Sequence, residues 1–128
     1  YVVVAAPRLL KQRPLLRAED AADHVLVDVD TTLPLSTYLR TTGLPLRFAR
    51  VLTLGTIDAI RVAVLAGEGV AVLPRYFVDD DLRRRRLQCV LPKARPTHDW
   101  FRLVFRADDG RRSLFEQVAK VLKARPLT

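Results

Sequence analysis

The chain is poor in the residues that usually carry redox, metal or covalent chemistry. Its 128 residues include one cysteine, two histidines and no methionine. One cysteine excludes an intrachain disulfide, and two distant histidines give neither a metal-binding spacing nor a Cys/His nucleophile pair. There is no Gly-x-Ser-x-Gly elbow, and no apolar run approaches the roughly 18 residues needed to cross a bilayer. We therefore expect no enzymatic activity, no membrane association, no cofactor and no metal.

The residues that are abundant indicate a compact, basic domain. Apolar residues make up 49% of the chain and charged residues 28%, which argues against disorder. Lys and Arg outnumber Asp and Glu by 22 to 14, and the resulting charge of +8 favours nucleic acid, acidic ligands or acidic partners without choosing among them. No signal peptide is visible, so we expect a cytoplasmic protein. Because the first residues already read as a strand, we also expect a further segment upstream.

Apolar periodicity and turn residues predict an α/β chain in which strands alternate with short helices. Proline and glycine separate the elements, and neither an internal repeat nor a low-complexity tract is present. The pattern predicts strands at 1–6, 25–29, 46–54, 70–73, 87–91 and 100–106, and helices at 8–12, 18–22, 34–40, 57–66, 76–82 and 111–124.

The segment 56–74, TIDAIRVAVLAGEGVAVLP, carries the clearest local signals. Thr56 is a good helix N-cap, and Gly67 suits a left-handed C-cap. Gly69 allows the chain to turn back closely against the helix, and residues 70–73 have the all-apolar composition of a strand buried on both faces. We predict a helix covered on most sides and then a buried strand, which together form one right-handed crossover of a parallel sheet.

The carboxyl ends of the predicted strands form the candidate ligand site. In open parallel sheets small ligands lie beyond these ends, where helix N-termini offer free N–H groups. We expect four strand ends to share one edge of the sheet. They lie at 6–7, 30–32, 53–56 and 74–76.

The third of these ends has the most suitable chemistry. It combines two hydroxyls, a glycine that lets a ligand approach the backbone, and a helix N-terminus suited to a carboxylate or another anion. Capping of the helix by itself also explains a threonine at position 56. The candidate ligand-binding residues are Thr53, Gly55, Thr56, Thr31 and Arg75.

Other polar motifs have simpler interpretations. The glycines of Gly67-Glu-Gly69 lack the third glycine of a dinucleotide fingerprint and follow a helix instead of opening one, so we interpret them as a turn. The run Arg83–Arg86 could bind phosphates, but three aspartates precede it and no stacking aromatics accompany it, which favours a solvated run. We interpret Asp28 and Asp30 as exposed loop acids, His24 and His98 as loop histidines, and Cys89 as a core thiol.

The central motif resembles a known family. The stretch 55–76, GTIDAIRVAVLAGEGVAVLPRY, together with 82–87 and 90–92, is similar to the C-terminal effector-binding domain of LysR-type transcriptional regulators. The opening segments 2–10 and 19–24 are similar to the part of that domain where the chain enters its second lobe. The resemblance implies a type 2 periplasmic-binding fold, an α/β architecture with a mostly parallel sheet flanked by helices. Two lobes joined by two crossing strands would hold a small effector between them.

The resemblance also implies a division of the chain and a role. Residues 1–6 would form the first crossing strand, 7–98 the second lobe, and 99–128 the return strand and the C-terminal helix of the first lobe. Family members commonly contact the effector from the loop before the motif helix, here 53–56. The implied protein senses a small anionic effector, forms a homo-oligomer and reaches DNA through a winged helix-turn-helix.

This chain departs from the family pattern. The winged helix-turn-helix and most of the first lobe are absent from it, and the run Arg83–Arg86 replaces a segment that is usually small and often contains glycine. Two alternatives therefore stay open. One is an extracytoplasmic solute-binding receptor of similar fold, which needs a secretion signal upstream. The other is a basic nucleic-acid-binding module that uses Arg83–Arg86 with Arg111 and Arg112, whose affinity would fall steeply with salt.

Overall fold

The structure is a computed structural model of the 128-residue chain, and it describes residues 1–30, 35–40, 42–94, 96 and 102–125. The chain divides into two compact units, unit 1 (Tyr1–His98) and unit 2 (Asp99–Thr128). Unit 1 contains a sheet with helices on both faces. Its elements in the described residues are β1 (Val2–Ala5), α1 (Pro7–Gln12), a 3₁₀ helix (Ala18–Asp23), β2 (Val25–Asp28), α2 (Thr37–Arg40), β3 (Arg50–Thr53), α3 (Ile57–Leu65), β4 (Val70–Leu73), α4 (Arg75–Arg83) and β5 (Gln88–Cys89).

The strands of unit 1 lie in the order β3-β2-β4-β1-β5. Strand β2 pairs in parallel with β3 on one side and with β4 on the other. Strand β1 pairs antiparallel with both β4 and β5, so that it alone among the described strands runs against the others. The predicted α/β fold with flanking helices is confirmed, although the sheet is mixed.

The direction of β1 corrects one expectation about the strand ends. Because Ala5 pairs with Val70 and Val2 with Leu73, the chain leaves β1 at the edge where β4 begins. The prediction that residues 6–7 share an edge with the other three strand ends is therefore wrong. The ends of β3 and β4 do share an edge, since both strands run parallel to β2.

Two apolar clusters pack on opposite faces of the sheet, because successive strand residues point to opposite sides. Val3 of β1 and Val72 of β4 belong to the first cluster, which includes Leu39 of α2; we call this side the α1/α2 face. Val4 of β1 belongs to the second cluster, on the α3/α4 face. That second cluster also contains Val27, Ile60, Val64, Ala71, Leu73, Val78 and Leu87.

Local signals around α3 are confirmed by its geometry. The Thr56 hydroxyl oxygen accepts a hydrogen bond from the Ala59 N–H at 3.1 Å, so Thr56 is the N-cap. Gly67 has a φ of +74°, a conformation that glycine adopts without strain. Gly69 lies so close to the Val25 carbonyl that a Cβ there would collide with it. Strand β4, which follows, is buried along its whole length.

Helix α3 is covered on most sides, as its composition predicts. Among its nine residues only Asp58 and Val62 are exposed, Val62 at 61%, and the other seven are buried or partly buried. Ile60 and Val64 are buried in the cluster on the α3/α4 face, and Ile57, Ala63 and Leu65 pack against the same cluster.

Several boundaries and burial predictions also differ from the structure. Strand β3 begins at Arg50, and residues 46–49, predicted as part of the same strand, are irregular. Cys89 lies on the edge strand β5 and is exposed, which contradicts its interpretation as a core thiol. His24 lies between the 3₁₀ helix and β2, in agreement with its interpretation as a loop histidine, and it is buried at 1% exposure. His98 lies outside the described residues.

Unit 2 contains one described helix, α5 (Arg112–Ala124), which confirms the predicted C-terminal helix. Residues 102–106, part of a predicted strand, form no strand, and the other two residues of that prediction, 100 and 101, lie outside the described residues. The rings of Phe105 and Phe115 lie 5.0 Å apart. No helix among the described residues is long and apolar enough to span a membrane.

Candidate functional site

The candidate site lies at the edge of the unit 1 sheet where β2, β3 and β4 end. Thr53 at the end of β3 is the register partner of Asp28 at the end of β2. Strand β4 lies on the other side of β2 and ends one residue before Pro74. Since neighbouring strands are about 4.8 Å apart, the ends of β3 and β4 are separated by about 10 Å. A small molecule can fit across this distance.

The loop between β3 and α3 brings together three of the predicted site residues. Thr53, Gly55 and Thr56 are all exposed. Apart from Gly55 and its two chain neighbours, no atom of the described residues lies within 4 Å of the position where a Gly55 side chain would begin, so a ligand can approach the backbone there. Although Thr56 caps α3, its hydroxyl hydrogen can still be donated. The N–H groups of the first turn of α3 lack intrahelical acceptors, which favours an anion at this point.

The other two predicted site residues have different outcomes. Arg75 begins α4 at the same edge of the sheet, and its side chain is 63% exposed. Its Nε lies 4.0 Å from a carboxylate oxygen of Asp79, one turn further along the helix. The structure thus brings Thr53, Gly55 and Thr56 onto one loop and Arg75 to the same edge, two strands away. Thr31 lies outside the described residues.

Asp28 is a residue at this edge whose role the sequence did not reveal. It is buried at 3% exposure, so its interpretation as an exposed loop acid is wrong. Its carboxylate accepts hydrogen bonds from the N–H groups of Val29 and Leu35, both at 2.8 Å, and of Ser36 at 3.2 Å. Asp28 therefore holds the backbone at 35–36 against the end of β2. Aspartate side chains commonly accept hydrogen bonds from neighbouring backbone N–H groups, as in the contact with Val29, but no local signal identifies the partners at 35–36.

The four-arginine run lies at the end of α4 and is largely paired with aspartates of the same helix. Asp79 and Asp80 are the exposed partners, and Asp81 is the buried one. These contacts support the interpretation of the run as an ion-paired surface segment. The pairs are Arg83 with Asp79 at 3.2 Å, Arg84 with Asp80 at 3.1 Å, and Arg86 with Asp80 at 2.9 Å and Asp81 at 2.8 Å.

A second charged contact joins α3 to α4 on the α3/α4 face. Arg61 donates from Nε to Asp81 at 2.6 Å and from a terminal nitrogen at 3.1 Å. The hydrogen bonds to Asp81 raise the pKa of the Arg61 guanidinium. The sequence showed Arg61 only as an interruption of an apolar helix. A charged residue that is partly buried in such a helix needs a partner, but the sequence identifies neither its burial nor that partner.

The fold and this edge define the class of the protein. A sheet covered by helices on both faces, with its crossover loops and a helix N-terminus at one open edge, is an α/β lobe of the class whose ligands usually bind beyond the carboxyl ends of the strands. The family described as LysR substrate binding domain matches residues 1–126, and the chain belongs to this family. No match is found among curated proteins.

Solved structures of low sequence identity have the same fold. The effector domain of AmpR from Pseudomonas aeruginosa is 22% identical with a TM-score of 0.63, covering 97% of this chain and 63% of that one. A LysR family protein from Agrobacterium tumefaciens is 19% identical with a TM-score of 0.62, covering 73% and 46%. The CrgA regulatory domain from Neisseria meningitidis is 22% identical with a TM-score of 0.60, covering 77% and 49%. The chain thus spans less than two-thirds of the length of these structures.

Proposed function

We propose that this chain is the ligand-sensing part of a bacterial LysR-type transcription regulator. A small anionic effector binds at the loop 53–56, with Arg75 and Thr31 as further contacts. The observation that carries the proposal is the exposed N-terminus of α3, which lies beside Thr53 at the edge shared by β2, β3 and β4. Binding there requires no catalytic residue, cofactor or metal.

The proposed arrangement assigns residues 1–6 to a first crossing strand, 7–98 to the second lobe, and 99–128 to a return strand and a helix of the first lobe. The remainder of the first lobe supplies the other wall of the site, and a winged helix-turn-helix elsewhere in the regulator binds DNA. The protein acts in the cytoplasm as a homo-oligomer. The effector regulates DNA binding by favouring one relative orientation of the lobes, which requires a different affinity for the two states.

The alternative of a basic nucleic-acid-binding module receives less support from the contacts. Three of the four arginines of the run, Arg83, Arg84 and Arg86, already have aspartate partners, so their charge is partly neutralised. The solute-binding receptor shares the proposed fold, and no specific contact in the described residues favours it over the regulator.

The test compares Thr56→Asn with Thr56→Asp in the 128-residue chain. Both side chains cap a helix at least as well as threonine, so the stability of α3 is preserved in each. Only the aspartate places a negative charge beside a bound anion. We expect acetate to bind the Asn variant about as well as the parent chain, and the Asp variant at least about tenfold more weakly. NMR titration of the amide groups of Gly55 and Ile57 measures both affinities.

Equal acetate affinity of the two variants would contradict an anion site at this loop. Chemical-shift changes on addition of acetate that are confined to other parts of unit 1 would also contradict an anion site at this loop. Thr56→Val provides a third comparison, because it removes both the cap and the hydroxyl donor. We expect it to weaken acetate binding and also to lower the free energy of unfolding by about 1 kcal/mol.

A further inference from the structure

An apolar cleft lies next to the candidate site on the α1/α2 face of the sheet. Its volume is about 250 Å³, and it is open to solvent. Leu26 of β2 and Val51 of β3 form its floor. Ser36 is a polar residue of its lining. Leu39 of α2 forms part of its wall. Leu46 and Phe48, in the segment that leads into β3, form another part.

The strand register connects this cleft to the loop 53–56. Val51 and Thr53 are two residues apart on β3, so their side chains point to the same face. Their register partners on β2 are Leu26 and Asp28, respectively. Asp28 in turn accepts the Ser36 N–H at 3.2 Å. The Ser36 end of the cleft therefore lies about one strand spacing from Thr53.

We propose that the cleft binds the apolar part of the ligand, either a single ring or a short aliphatic chain, while the polar end of the same ligand contacts the loop 53–56. This inference rests on the proposed function for the position of the polar end. The ligand class is therefore an amphipathic monocarboxylate, and small carboxylates without an apolar group are weak ligands.

The size and exposure of the cleft support an occupant of this kind. An apolar cavity of about 150 Å³ can hold benzene, so a cleft of about 250 Å³ accommodates one ring with a substituent. It is too small for a helix, which is about 10 Å wide with its side chains. Val51 is 58% exposed. A ligand that covers it removes apolar surface from water.

The test uses acetate, butanoate and hexanoate, with toluene as a neutral probe, in NMR titrations of the 128-residue chain. Each methylene buried in the cleft should raise the affinity about fourfold, so affinity rises along the series. Val51→Trp places a large ring over the cleft and should abolish the dependence on chain length. Val62→Trp is the matched control, because Val62 is 61% exposed on α3, and it should keep the full dependence.

The outcomes separate this inference from the proposed function. If the three carboxylates bind at the loop with equal affinity, the inference is overturned and the anion site stands. If no carboxylate binds, the proposed function fails. The toluene titration then shows whether the cleft binds an apolar molecule. Toluene shifts of the Leu39 and Val51 methyl signals support an apolar site, and their absence overturns it. These signals are read in the parent chain, so the conclusion does not depend on the folding of the Trp variants.

Discussion

Asp81 is fully buried in unit 1, and its carboxylate joins α3 to the end of α4. It accepts hydrogen bonds from Arg61, whose Nε lies 2.6 Å away, and it forms an ion pair with Arg86 at 2.8 Å. The hydrogen bonds from Arg61 to Asp81 raise the pKa of that guanidinium. A buried carboxylate is stable only where charged partners and hydrogen bonds replace its lost hydration. This contact therefore specifies how the two helices pack.

Asp81→Asn should lower the free energy of unfolding by about 2 to 3 kcal/mol, because it removes the charge that both arginines face. The loss stays below that of a wholly buried pair, since the Arg61 side chain is 30% exposed. Asp80→Asn is the matched control one residue away. The Asp80 side chain is 49% exposed, so its loss should cost less than about 1 kcal/mol. Urea unfolding measures both, and equal losses would contradict the role given to Asp81.

The residues of the candidate site differ in how well the sequence predicted them. Thr56 follows a local rule, because a threonine before an apolar helix is a good cap, and the structure confirms that role. Asp28 depends on where the chain goes after β2, since its partners include backbone groups seven and eight residues away. A local pattern does not contain that information, so the burial of Asp28 was missed.

At the scale of elements, the turn between α4 and β5 has an uncommon conformation. Arg85 has a φ of +57°, in the left-handed region that favours glycine. The turn is held by the N–H groups of Arg86 and Leu87, which donate to the Asp81 carbonyl at 2.8 and 3.2 Å. The four-arginine run thus contains a residue under backbone strain.

Arg85→Gly should raise the free energy of unfolding by up to about 1 kcal/mol, because glycine adopts this conformation without strain. Arg84→Gly is the control, since Arg84 has an ordinary φ of −80° and glycine there only adds flexibility to the unfolded chain. It should lower the free energy of unfolding by about 0.5 kcal/mol. Thermal unfolding measures the two changes. If both substitutions changed the free energy of unfolding in the same direction, the result would contradict backbone strain at Arg85.

The elements themselves were predictable where their signals are local. The cap at Thr56, the left-handed Gly67 and the apolar run of β4 lie within one short segment, and all three are confirmed. Strand β3 was predicted too long. The partner of Arg50 is Val25, the first residue of β2, so residues 46–49 have no strand beside them. Apolar alternation shows that a segment can form a strand, whereas pairing decides how long the strand is.

At the scale of the whole chain, the two units differ in how they are stabilised. Both apolar clusters consist of unit 1 residues, which pack from the two faces of its sheet. In unit 2, the apolar residues of α5 include several that are exposed. These are Leu114 at 52%, Val118 at 39%, Val121 at 60% and Leu122 at 55%.

Residues 1–98 should fold without the rest of the chain, because unit 1 contains both apolar clusters. We expect the free energy of unfolding of the shortened chain to lie within about 1 kcal/mol of that of the full chain. Urea unfolding checks this value, and an amide spectrum checks that the unit 1 signals keep their positions. A shortened chain that is unfolded, or that has widespread shifts in the sheet, would contradict this prediction.

The sequence by itself determined the α/β class, the family and the α3–β4 segment, because caps, glycines and apolar runs act through neighbours in the chain. Only the tertiary structure decided the direction of β1, the exposure of Cys89 and the burial of Asp28. Each of these depends on which distant segments pair, and pairing is selected by the packing of the whole sheet. The edge that carries the loop 53–56 exists because β2 lies between β3 and β4 and runs parallel to both.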